Sequence, residues 1–179
     1  ERGQLTNPST LDKEVRRMLA DPRASESLVN DFAAQWLNLR RVDEVVVDPE
    51  RYPNYDLSLL QGFQRETELF VGSTIREDRS VVALLNAEYT FVNERLARHY
   101  GITSVLGPQF RRVTLEDSRR WGLLGKGAAQ LRTSYGDRTS PVLRGAWVLG
   151  KLMGTPPTPP PPDVDTNLST PKGELPKTL

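Results

Sequence analysis

The sequence predicts a mainly α protein, a helical bundle of about six helices with a polyproline extension at its C-terminal end. Three observations carry this. Apolar residues recur at helical spacing in several separate stretches, the longest from Leu57 to Ile75. Asn, Asp or Ser stands in front of most of these stretches, where its side chain can accept an orphan N–H of the first turn. Six prolines lie between Pro156 and Pro162, a density that favours an extended rod over a packed core.

The elements follow in order. Asn7-Pro8-Ser9-Thr10 caps a helix from Leu11 to Ala20, with Leu11, Val15, Met18 and Leu19 as its apolar stripe. Asp21-Pro22 ends it and starts a second, from Ala24 to Leu39, with Leu28, Val29, Phe32, Trp36 and Leu39 on one face. The two form an antiparallel pair. From Arg40 to Asn54 turn chemistry brackets Val45-Val46-Val47, which predicts an ordered loop. Asp56 caps the third helix, Leu57 to Ile75, and Ser80 a short turn over Val81 to Leu85. Phe91 to His99 reads as a further helix, closed by Tyr100-Gly101. Phe110 to Thr114 alternates weakly, as an extended edge does. A helix from Asp117 or Ser118 to Leu131 is weakened by Gly122, Gly125 and Gly127, which also permit a close backbone approach.

The stretch Thr133 to Pro162, TSYGDRTSPVLRGAWVLGKLMGTPPTPPPP, is the best specified. Tyr135-Gly136-Asp137 is a turn, and Asp137 can pair across it with Arg138 or Arg144. Ser140 is an N-cap with Pro141 in the first turn. Val142, Leu143, Ala146, Trp147, Leu149 and Met153 make one side of the helix apolar. Gly154 stops it and Pro156 forbids its continuation. This last helix is expected to dock against the first two. The organisation is a helical module over 1–108, a second over 109–154 packed on the first and sharing its core, and a proline-rich tail over 155–179.

The 179 residues suit one domain or one domain with an extension, and a hydrophobic fraction of 37% suffices for a core. A formal charge of +1 gives no reason to expect a nucleic-acid partner. There is no cysteine, which excludes a disulfide framework, a thiolate metal site and covalent attachment of haem. No apolar run has the length of a membrane span. The chain opens on Glu1, without an initiator Met, and reads as a processed product or a segment of something longer.

Candidate chemistry is sparse. His99, the single histidine, could act as a general base or as an axial haem ligand, but its place before Tyr100-Gly101 suits a hydrogen bond to a last helical carbonyl better. Glu66 and Glu68 are two apart on one helix, so they point to different faces and read as solvated charge. Ser134 and Ser140 lack an activating base and a nucleophile elbow, and they read as turn and cap residues. The glycines of WGLLGKGAAQ lack the strand and the Ser or Thr of a phosphate loop. Trp36, Trp121 and Trp147 read as core.

Two stretches nevertheless resemble a known pair of domains. LNAEYTFVNERLARHYGI, Leu85 to Ile102, resembles the helical domain of unknown function of large planctomycete-type secreted cytochrome proteins. FAAQWLNL, Phe32 to Leu39, fits the start of that domain. The segment from Thr133 to Val164 is similar to the domain that follows it, through the motif Arg138, Thr139, Ser140, Pro141, Arg144, Gly145 and Trp147, then Gly154, Pro156 and Pro157. Thr158 interrupts the proline run, and Asp165 stands where that pattern usually continues with proline. The resemblance implies an exported, periplasmic or secreted protein with no catalytic residues to carry over. It implies a non-catalytic scaffold or interaction module, with any c-type haem held by a partner or another domain. Two alternatives stand beside it: a hydrolase of an extracellular polymer using Glu or Asp with His99, and a docking module that presents its prolines.

Overall fold

A computed structural model of the chain describes residues 3–159; the rest of the proline extension and the tail to Leu179 lie outside the described residues. The fold is mainly α, as the helical periodicities predict. The first helix, α1 (Pro8–Leu19), starts on Asn7, whose side chain accepts from Ser9 N at 3.0 Å. Asp21 caps α2 (Pro22–Glu26), which continues through a π turn, Ser27–Ala33, into α3 (Ala34–Trp36).

That π turn corrects the predicted face. The wider turn re-phases the side chains relative to an uninterrupted α-helix. Val29, Ala33, Leu37 and Leu39 are buried, while Phe32 is 66% and Trp36 43% exposed, the two rings stacked at 6.4 Å. The stripe of α1 is uncovered too: Leu11, Val15, Met18 and Leu19 are 44–60% exposed. The two helices touch, but their apolar residues do not close on each other.

The segment between Arg40 and Asn54 is an ordered loop. Val42 is fully buried, and Asp48 N donates to Gly136 O at 2.9 Å. The centre of the fold is α4 (Leu57–Arg76), capped by Asp56 through Leu59 N at 2.7 Å. Leu59, Leu60, Phe63, Phe70 and Val71 line its buried side. After it come α5 (Ala83–Asn86) and then β1 (Tyr89–Val92).

Phe91 and Val92 are therefore in a strand, not in the first turn of a helix. Tyr-Thr-Phe-Val is a β-prone tetrad. The helix start is Asn93, whose side chain accepts from Leu96 N at 3.0 Å, and α6 is only Glu94–His99. The weakly alternating segment supplies the partner: β2 (Arg111–Thr114) runs antiparallel to β1, Tyr89 opposite Thr114 and Val92 opposite Arg111.

The expected helix from Ser118 to Leu131 is broken. Asp117 caps a 3-10 turn, Ser118–Arg120; a second turn spans Leu123–Gly125; and α7 is Gly127–Arg132. Gly122 makes the break at φ 57°, and a Cβ there would lie 2.2 Å from Leu85 O, so two backbones meet at this point.

The chain then forms α8 (Pro141–Trp147), extended by a π turn, Val148–Leu152. Ser140 caps it, accepting from Leu143 N at 3.2 Å, and Gly154 closes it at φ 69°. The expected apolar side is buried only in part. Val142 and Met153 are exposed, Val148 and Leu152 rest on the core, and Trp147 is the anchor. Its Nε1 donates to Leu37 O at 2.8 Å, which docks the last helix on the residue that closes α3. Trp121 is half-buried, with Nε1 on Leu115 O at 2.9 Å. Leu123, Ala128 and Trp147 belong to the same buried cluster as Val29, Phe70 and Leu96.

Trp147→Ala leaves a cavity and an unpaired buried carbonyl at Leu37. It should lower unfolding stability by about 3–5 kcal/mol, read from urea melts followed by far-UV circular dichroism. Val142→Ala, on an exposed position of the same helix, should stay within about 0.5 kcal/mol of wild type.

Candidate functional site

Along α4, Leu59, Phe63, Glu66, Phe70 and Ser73 recur every three or four residues, so they share one seam. Glu66 is in that seam and is fully buried, which overturns its reading as solvated charge. Three groups from three elements donate to its carboxylate: Thr90 Oγ1 of β1 at 2.5 Å, Tyr100 OH after α6 at 2.6 Å, and Gly127 N at the start of α7 at 3.2 Å. Gly127 N also reaches the Tyr100 oxygen at 2.9 Å. Glu68 is on the surface, ion-paired with Arg65 at 2.8 Å.

Lys126 is the second buried charge. Its Nζ donates to Tyr89 O at 3.1 Å and Arg120 O at 3.4 Å, and stands 4.4 Å from the centre of the Phe70 ring. Burial pushes the Glu66 carboxyl above its ordinary range, against the pull of Lys126 and the three donors. Burial likewise pushes Lys126 down to about 8, against the pull of Glu66. Tyr100 is held well above the usual phenol range, by burial first and then by the Glu66 charge. These groups are consumed inside the fold, each by partners from elsewhere in the chain.

Outside this centre opens a cleft of about 830 Å³. His99 and Tyr100 form one part of its wall, Arg119 and Arg120 of the 3-10 turn another, and Arg51 and Arg138 a third. His99 lies edge-on to Phe63 at 5.3 Å and beside Tyr100 at 5.6 Å. Burial, then Arg120 and Arg95, push its pKa below the usual histidine range, so the ring is neutral at pH 7. Arg120 stacks over the Tyr100 ring at 4.3 Å. Arg119 is bound by Asp117 through its Nε and Nη2, each at 2.9 Å.

The motif residues divide between cleft and scaffold. Ser134 and Thr139 bridge across a tight turn in which Tyr135 N donates to Arg138 O at 2.9 Å. Arg138 pairs with Asp137 at 3.0 Å and lies 4.6 Å over the Tyr135 ring. Arg144 instead donates to Thr133 Oγ1 at 3.2 Å. Ser134 Oγ donates to Gln130 O at 2.8 Å, and Ser140 is occupied as a cap. Pro141 opens α8, Gly145 faces outward, and Pro156 and Pro157 are exposed. Among the described residues, no group of three or more His, Asp or Glu is placed to hold a metal ion. Nor, among them, is any helix long and apolar enough to cross a membrane.

Fold and site together define a mainly α module with a buried ionic centre beneath an arginine- and tyrosine-lined cleft. The chain belongs to the family described as PSD4, protein of unknown function (DUF1592), whose model matches residues 1–102. Residues 120–178 match a second family, PSCyt3, protein of unknown function (DUF1588). Both are planctomycete cytochrome-associated families, the adjacent pair that the motifs around Tyr89 and Trp147 resemble. No curated protein and no solved structure matches the chain.

The buried lysine has a pH signature. Its folded pKa lies below its unfolded value of 10.5, so between about pH 8 and 10.5 the unfolded chain binds more protons. The stability it contributes is full above that window and is lost as pH falls through it. Wild type minus Lys126→Met should therefore grow in unfolding free energy from pH 8 to pH 10, measured by urea melts at each pH. A flat difference would mean that Lys126 is solvated.

Proposed function

We propose that the chain is a non-catalytic scaffold or interaction module of a larger extracytoplasmic, cytochrome c-associated protein or complex. The observation that carries this reading is the apolar stripe of α1, 44–60% exposed, together with the exposed and stacked Phe32–Trp36 pair of the π turn and α3. The family memberships supply the cytochrome context. The haem would belong to a partner or to another domain, since this chain offers no thiol to bind it. The buried charges support the same reading. Glu66 and Lys126 are engaged by internal partners, and Asp117 is held by Arg119.

A hydrolase is the second reading, favoured by one observation: the cleft gathers a neutral His99 with Asp117, Ser134 and Arg138. Against it, both oxygens of Asp117 serve Arg119, and Ser134 donates to a helical carbonyl.

Co-purification from native material, followed by an absorption spectrum, tests the proposal. A Soret band should co-elute with the wild-type chain and weaken at least tenfold with Val15→Glu/Met18→Glu, two changes at exposed positions that leave the melting temperature in place. The partner should also raise that temperature, because it binds only the folded chain. Turnover of a glycan or an ester by the purified protein would sink the proposal in favour of the hydrolase.

A further inference from the structure

The walls of the cleft carry an unusual set of side chains. Arg51, Arg119, Arg120 and Arg138 line it with a single carboxylate, Asp117, and with no lysine and no glutamate. Tyr52, Tyr55, Tyr100 and Tyr135 line it as well. Tyrosine and arginine enriched, with lysine and glutamate depleted, is the composition of the energetic centre of a protein-recognition surface. Tyr52 and Tyr135 are 43% and 48% exposed, the Tyr135 ring beneath Arg138, so both residues leave surface for a partner to cover.

The arginines differ in how strongly they are held. Arg119 is fixed by two hydrogen bonds to Asp117. Arg51 is 3.7 Å from Asp48, and Arg138 pairs with its neighbour Asp137; both guanidiniums are well exposed, and pairs of that kind are weak enough to exchange for a better acceptor. Arg120 has no ion pair among the described residues. Its guanidinium sits 4.3 Å over the centre of the Tyr100 ring, and its fork of donors suits a planar acceptor such as a carboxylate. The supports are rigid. Tyr100 is bonded to Glu66, and the Arg120 carbonyl accepts from Lys126. The Arg51 loop is tied to the motif turn by Asp48 N on Gly136 O and by Arg51 Nη1 on Asp137 O at 3.3 Å.

We propose that this cleft is the binding site for an acidic peptide segment of a protein partner, with Arg120 taking a carboxylate at its centre and Arg51 and Arg138 taking a second one from another wall. This deepens the interaction-module reading and rests on it. A peptide fits better than a small anion for two reasons. The charges come from separate elements of a cleft about 830 Å³ in volume, and exposed tyrosines beside them cover apolar surface that a bare anion does not have. The neutral His99 and the amide of Gln130 add uncharged hydrogen-bonding groups to the same wall.

The test is fluorescence anisotropy on the full chain with a fluorescein-labelled peptide of alternating glutamate and tyrosine. Binding should weaken as salt rises. Arg120→Ala should weaken it about tenfold or more, and Arg120→Lys should restore part of the loss. Arg138→Ala, on the other wall, should weaken it independently, and Arg76→Ala, on α4 and outside the cleft lining, should not. Unchanged melting temperatures confirm that the variants fold. The proposal is overturned if the peptide does not bind, if Arg120→Ala binds as wild type does, or if inorganic phosphate or oligogalacturonate displaces the peptide at lower concentration than unlabelled peptide does. If the peptide fails while a haem protein still co-purifies, the cleft assignment falls and the interaction-module reading stands. If the peptide binds as described but no haem protein co-purifies, the cleft assignment stands and the cytochrome association falls.

Discussion

A carboxylate buried out of reach of solvent must find its donors inside the protein, and Glu66 finds them on three different segments. Thr90 brings β1, Tyr100 brings the end of α6, and Gly127 brings the start of α7. Each of these elements is short, from four to six residues, and none is stable alone. They are held because α4 offers one buried acceptor that all three can reach. Lys126 completes the arrangement by returning a positive charge and by tying the carbonyls of Tyr89 and Arg120 together. A buried ionic group of this kind is weak evidence of net stability, since its desolvation offsets much of what its bonds contribute. Its effect is on uniqueness: another packing of these short pieces would leave a charge without partners.

The cleft follows from the same constraint. Tyr100 points inward to Glu66, and this sets the ring on which Arg120 lies. The broken chain between Asp117 and Gly127 turns where Gly122 meets Leu85, so Arg119 and Arg120 line the cleft and are not carried along a continuous helix. On the far side, the motif turn is braced by the loop that precedes α4. The cleft is thus built on a framework in which Glu66, Tyr100 and Lys126 already have internal partners, and its outer side chains are left for recognition.

Much of this fold was legible in the residues. The caps at Asn7, Asp21, Asp56 and Ser140 mark true helix starts, and Gly154 marks a true stop, because these are local interactions a short window contains. Strand β1 was not, since two of its four residues fit a helical reading and its partner lies about twenty residues further on. The register of α2 and α3 was hidden because a π turn leaves no composition signal. Glu66 could have been found: it falls at the third position from Phe63 and the fourth before Phe70, inside an apolar seam. Its spacing from Glu68 puts the two on different faces of the helix and does not by itself say which face is buried. Lys126 gave no such sign, because a lysine among glycines carries no periodicity. The cleft joins residues as far apart as Arg51 and Arg138, and only the fold brings them together.

The π turn at Ser27–Ala33 leaves an unusual evolutionary position. Such a turn amounts to one residue inserted into an α-helix, and each residue of an α-helix turns the surface by about 100°. Loss of a single codon in this stretch would swing Phe32 and Trp36 away from their present outlook, and would turn Ala33, Leu37 and Leu39 out of phase with Val29 at the same time. One extra residue thus sets both the outward ring pair and the inward row that receives Trp147, and neither can be edited away without the other.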